Sequence, residues 1–142
     1  MKYSKPVFFL ISLFMILPLL VQAQKTKAPE DAKSYIIAPQ DGAVVPSTFT
    51  VKFGLSGMGV APSGIEAKNT GHHHLLVDVN EMPDMSKPLP ANDHIIHFGG
   101  GQTETTITLE PGKHTLQLIL GDFAHIPHNP PVVSEKITIF VK

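Results

Sequence analysis

Residues 34–142 predict an all-β domain, an immunoglobulin-like antiparallel β-sandwich of about seven strands. Three observations carry this expectation. No window after residue 34 sustains the 3.6-residue apolar repeat of a helix. Short runs rich in β-branched and aromatic residues alternate apolar with polar, as half-buried strands do. Gly and Pro, 11 and 13 in a chain of 142 residues, fall in clusters between those runs and mark the turns.

The elements follow in chain order. Lys2 and Lys5 precede an almost wholly apolar run from Val7 to Val21, which ends in Val21-Gln22-Ala23. This is the layout of a secretory signal peptide cut after Ala23. The run carries Pro18 and falls short of the ~20 residues a membrane span needs, so no transmembrane span is expected in the mature chain. The protein is therefore expected to be exported, to the bacterial periplasm or beyond. Residues 24–33 are polar and charged and read as a flexible tail. The remaining 34–142 are short enough for one domain.

Within that domain the first strand, 35–45, is broken by Pro39-Gln40-Asp41-Gly42, as an edge strand can be. The second, 48–55, places Phe49, Val51 and Phe53 on one face. The third, 72–79, sets His73, Leu75, Val77 and Val79 against His74, Leu76 and Asp78. The fourth, 94–98, is short. The fifth, 103–109, aligns Ile107 with Leu109, and the sixth, 114–121, aligns Leu116, Leu118 and Leu120. The seventh, 133–141, turns Ile137, Ile139 and Val141 inward and Lys136, Thr138 and Lys142 outward. Glu110-Pro111-Gly112-Lys113 has the residues of a type II turn. It makes the fifth and sixth strands either a hairpin or a corner between two sheets. With no Cys and no Trp, the antibody hallmarks are missing, which favours a bacterial or fibronectin-type variant.

Composition excludes several functions. The formal charge is −1 and all eleven cations are Lys, so there is no basic footprint for nucleic acid and no guanidinium fork for phosphate. Without Cys there is no disulfide, thiolate metal site or thiol nucleophile. No G-x-S-x-G elbow, Walker loop or H-E-x-x-H helix occurs.

The histidines are the chemical signal. All eight lie between 72 and 128. In the sandwich topology the loops after the second, fourth and sixth strands meet at one end. His72, His73 and His74 open the third strand there, His97 closes the fourth, and His125 and His128 sit in the loop after the sixth. His94 and His114 begin their strands at the opposite end. Neutral imidazole is the commonest protein ligand for zinc and copper. His72 and His74 share a face roughly 6.5–7 Å apart along the strand, a spacing that can close on one ion. His97 and His125 are the candidate loop ligands, and His73 and Asp122 the candidates to orient them.

Structural readings stand beside this one. His73, in register with Leu75, reads equally as a core-edge histidine bonded to backbone. His125 and His128 can simply order a Pro-rich loop. Gly99, Gly100 and Gly101 can form an anion nest or only a flexible turn, followed by Gln102, Thr103 and Glu104 as groups able to bond a ligand. Met82-x-x-Met85, expected near His94 and His114, offers a separate thioether–imidazole set suited to Cu(I).

GHHHLLVD (71–78), HFGGGQTE (97–104), PGKHTLQL (111–118) and GDFAHIPHNPPVVSEKI (121–137), with IIAPQDGAVVPSTFTVKFGLSG (36–57), resemble the bacterial family known as domain of unknown function 4399. The resemblance spans about residues 35–142. Its closest matches include His72, His73, His74, His97, Gly99, Gln102, Thr103, His114 and His125. It implies a small exported envelope domain and supplies no reaction.

The resulting expectation is an exported binding module with a His-rich zinc or copper site at one end of the sandwich. The alternative is a structural or protein-interaction module whose histidines form only a hydrogen-bond network. The third reading, a hydrolase using His with Glu104 or Asp122, lacks a nucleophile signature, so the chain reads as a binding protein before an enzyme. A metal ion, a small ligand or an envelope protein are the partners that remain.

Overall fold

The computed structural model describes residues 25–142. The signal peptide expected over 1–23 lies outside the described residues. Nine strands follow in order: β1 (Lys33–Ala38), β2 (Val44–Val45), β3 (Thr48–Ser56), β4 (Gly59–Val60) and β5 (Thr70–Val77), then β6 (Ile95–His97), β7 (Glu104–Thr108), β8 (Gly112–Gly121) and β9 (Ile137–Val141).

Period-two alternation builds both layers. In β3 the buried Phe49, Val51 and Phe53 alternate with exposed Thr48, Thr50 and Lys52. They meet Leu75 and Val77 of β5, Leu116 and Leu118 of β8, and Ile139 and Val141 of β9 in one core. The three-stranded sheet has the order β1-β3-β7. The six-stranded sheet runs β2-β9-β8-β5-β4, with β6 on the other flank of β5. This is the expected two-sheet, immunoglobulin-like sandwich, with the two-residue β4 as an unforeseen addition, parallel to the start of β5.

Two sequence signals mark two of the places where the chain changes sheets. The Pro39–Gly42 break, with Gly42 at φ 77°, carries the chain from β1 in the small sheet to β2 in the large one. The Pro111-Gly112 turn joins β7 to β8, which belong to different sheets, so it is a corner and not a hairpin. Gly112 at φ 144° supplies a conformation that L side chains rarely adopt.

Three expectations need correction. Residues 25–32, expected as part of a flexible tail, are pinned to the domain. Asn129 donates its N–H to Thr26 O at 2.9 Å, Ala28 donates to Asn129 O at 3.1 Å, and Ala28 packs with Leu120 and Val132. Polar composition hid one small apolar anchor and two backbone bonds. Second, β5 is not half-solvated. Every residue from Gly71 to Val77 is buried. Its outer row, away from the main core, continues into Leu76, which packs with Leu89, Ile95 and Ile119 in a second apolar cluster joined by Val79, Met85 and Val133. Both faces of the large sheet are therefore covered around its centre. The last expected strand is also shorter: Val133 makes only an isolated bridge to Ile119 before β9 begins. Among the described residues no helix is long and apolar enough to cross a membrane.

Candidate metal centre

The outer row of β5 carries His72, His74 and Leu76, because alternate residues of a strand share a face. Antiparallel register sets His97 of β6 directly opposite His74, and Gly121 of β8 opposite His72. The ring centroids of His72 and His74 are 4.9 Å apart. His97 lies 5.0 Å from His72 and 5.1 Å from His74. His125, from the loop after β8, adds a fourth ring 4.7 Å from His97 and 5.0 Å from His72, with His74 at 6.2 Å. Four imidazoles from three remote stretches thus face one another. They do so on the outer face of the large sheet, beneath the loops, and not at an open tip of the sandwich.

The loop that delivers His125 is built on Asp122. Asp122 Oδ1 accepts the backbone N–H groups of Ala124 and Ile126, each at 2.9 Å, and Oδ2 accepts the Thr26 hydroxyl at 2.7 Å. His125 N–H donates to Asp122 O, and Leu89 N–H donates to His125 O, both at 2.9 Å. Inside this turn His125 adopts φ 67°, a left-handed conformation that costs an L-residue roughly 1–2 kcal/mol. The bonds around it hold that conformation and aim the ring at its partners.

Glycine makes the room. A Cβ on Gly121 would stand 2.8 Å from His74 Cε1, and one on Gly99 would collide with the His97 ring. Gly99 therefore serves the cluster by being absent as a side chain. The nest reading of this turn does not hold for Gly100, whose N–H is taken by Gln102 Oε1 at 3.0 Å.

The electrostatics favour lone pairs over protons. Burial, with the fields of His125 and His97, pushes the His72 pKa down to about 4. Burial, with His72, His97 and His125, pushes His74 down to about 3. His97 is also lowered, by burial and then by His125. At neutral pH these rings are uncharged, the form that binds metal. Yet among the described residues neither ring nitrogen of His72 or of His74 has a hydrogen-bond partner, nor does His97 Nε2. An unsatisfied buried polar atom costs about 1–3 kcal/mol, so five in one pocket form a costly arrangement. One ligand nitrogen from each of His72, His74 and His97 lies within 4.8 Å of the others, and the set is geometrically compatible with a divalent ion such as zinc or copper.

The remaining expected site residues fall elsewhere. His73 points into the main core, its ring 5.2 Å from Phe53, and burial lowers its pKa to about 4. Strand parity puts it on the opposite face from His72 and His74, so it does not orient them. Among the described residues its ring makes no backbone bond either. Asp122 shapes the loop and makes no hydrogen bond to a histidine ring of the cluster. His128 donates its Nε2–H to Thr70 O, 3.1 Å away, and fills the space beside Gly71. Thr103 O accepts Phe53 N–H in the small sheet, and Glu104 is an exposed ladder residue opposite Lys52. At the far end His94 Nδ1 meets Val77 O, His114 bonds Asp78 and Glu110 O, and Met85 packs on the second apolar cluster.

Sequence reading missed Gly121 and Thr26. A lone Gly ending a strand-like run signals close approach by a neighbour. Nothing in the sequence marks Thr26.

The chain is similar to the fibronectin(III)-like modules of Clostridium thermocellum CbhA, with 17% identity and a TM-score of 0.40 over 77% of this chain and 95% of that one. No curated protein sequence matches it. The sequence profile described as Domain of unknown function (DUF4399) matches residues 51–142. The region it covers holds all four rings of the cluster and the turn that carries His125, and the chain belongs to this family.

Proposed function

We propose that this protein is an exported envelope binding module that holds a transition-metal ion, zinc or copper, on His72, His74 and His97, with His125 as the fourth ring. One observation carries the reading: buried, neutral imidazoles converge on each other with no hydrogen-bond partner for either nitrogen of His72 or His74 among the described residues. A structural hydrogen-bond network needs partners for those atoms. A metal ion satisfies one lone pair of each ring at once. Export rests on the leader-like segment before Gln24.

The test uses untagged protein without the leader, stripped with chelator and titrated calorimetrically with Zn(II) and Cu(II). The expected result is one equivalent bound at micromolar or tighter affinity by the wild type and no uptake by a His72→Ala/His74→Ala double variant. A wild type that takes up neither of these ions, nor Cu(I) under anaerobic conditions, contradicts the proposal. Mass measurement of the protein recovered from the envelope fraction is expected to show cleavage after Ala23; an uncleaved chain in the cytosol contradicts export.

A further inference from the structure

We propose that the site discriminates by ionic charge and selects monovalent copper, Cu(I), over Zn(II) and Cu(II). This rests on the metal-binding reading above and deepens it by naming the oxidation state of the ion.

The donor set lacks negative charge. His72, His74 and His97, with the His125 ring beside them, offer only imidazole nitrogen, so the ligands bring no negative charge. The carboxylate built into the same turn, Asp122, already serves two backbone N–H groups with one oxygen and the Thr26 hydroxyl with the other. Releasing it would undo the turn that aims His125. The chain has no thiolate to offer.

The surroundings make missing charge expensive. His72 and His74 are 0% exposed, and the same face continues into Leu76, Leu89, Ile95 and Ile119. The cost of placing an ion in such a medium grows with the square of its charge, so a divalent ion costs about four times as much as a monovalent one. Zinc sites ordinarily relieve this with thiolates, carboxylates or a bound hydroxide. Here the fourth ring, His125, brings no negative charge either. Imidazole nitrogen suits copper and zinc alike, so ionic charge decides between Cu(I) and Zn(II), while filled-shell Cu(I), unlike Cu(II), imposes no geometry the rings must meet.

Anaerobic competition tests this directly. Metal-free wild-type protein is titrated with Cu(I) against a chromophoric cuprous chelator, and separately with Zn(II) and Cu(II) against chelators of known affinity. The expected Cu(I) dissociation constant is at least about 100-fold below that for Zn(II), a modest part of the desolvation difference. Zn(II) or Cu(II) binding as tightly as Cu(I) overturns the inference and leaves the metal site standing. Uptake of none of the three overturns both. A His125→Asp variant adds the missing charge at a left-handed position that Asp tolerates. It is expected to swing the Cu(I)/Zn(II) affinity ratio toward zinc by at least about tenfold, since opposite charge within bonding range favours the divalent ion. An unchanged ratio in a variant that still binds contradicts the charge argument. The wild-type competition stands whether or not this variant folds.

Discussion

Two groups of histidines in this molecule live under opposite rules. At one end of β5 four rings face one another, and those of His72 and His74 have no hydrogen-bond partner among the described residues. At the other end His114 is fully partnered. Its Nδ1 stands 2.7 Å from Asp78 Oδ2 and its Nε2 2.8 Å from Glu110 O. Both partners only accept, so both ring nitrogens must donate and the ring is an imidazolium. The Asp78 hydrogen bond raises its pKa accordingly. Asp78 reaches this position through a left-handed backbone, φ 56°, and its other oxygen accepts Thr115 N–H. The same side chain is thus a structural cation at one end and an uncharged donor at the other. What separates the two roles is the supply of partners, not the residue type.

The largest test of this contrast removes the donors. A hundredfold to thousandfold excess of metal over the dissociation constant should stabilise the wild type by about 3–4 kcal/mol. Thermal unfolding should show that gain vanish in His72→Ala/His74→Ala and persist in His114→Gln. A gain retained by the double variant would place the metal elsewhere.

Asp122 comes next. Asp122→Ala frees two backbone N–H groups and the Thr26 hydroxyl, at a cost of about 3 kcal/mol in chemical denaturation. It should also weaken metal affinity by about tenfold, as loss of a supporting group does, because the His125 turn loosens. Unaltered affinity would show that His125 needs no such turn.

Acidity should act on the two groups with opposite signs. His72 and His74 have folded-state pKa values near 4 and 3, below the ordinary 6.5. The unfolded chain then binds more protons between those limits. Metal-free stability should be full above pH 6.5 and fall as pH drops toward 4, by up to about 1.4 kcal/mol per pH unit for each such ring. Denaturant midpoints that stay level from pH 7 to 4.5 would contradict the neutral cluster. His114 runs the other way: its raised pKa stabilises below 6.5, and that contribution disappears as pH rises through the raised value. Being partly solvated, the pair is worth no more than about 1 kcal/mol. His114→Gln should therefore cost that much at pH 6 and less at pH 9; an equal cost at both would point to packing alone.

How much of this was legible can be judged residue by residue. Phe49, Val51 and Phe53 against Thr48, Thr50 and Lys52 revealed a half-buried strand, because alternation is local. The pairing of His72 with His74 was equally visible, and seven strands in order were enough to bring residues 97 and 125 beside them. The burial of the outer face was not visible. Leu76, Ile95 and Ile119 sit in separate strands, and only register makes them one cluster with Leu89. That register also moved the site from the tip of the sandwich to beneath its loops. His73 illustrates the limit: parity separates it from its neighbours, yet nothing local says that its ring finds Phe53 and no polar partner. The two acceptors of His114 were hidden for the same reason, since one depends on the left-handed turn at Asp78.

Nitrogen-15 spectra of the histidine rings distinguish the two groups ring by ring, because Zn(II) and Cu(I) are both diamagnetic. In metal-free protein at pH 7, His72, His74 and His97 should show neutral rings and His114 a doubly protonated one. On adding one equivalent of either ion, the cluster resonances should move to bound values while those of His114 stay in place. Cluster resonances that ignore the metal, or shifts confined to His94 and His114, would contradict the account.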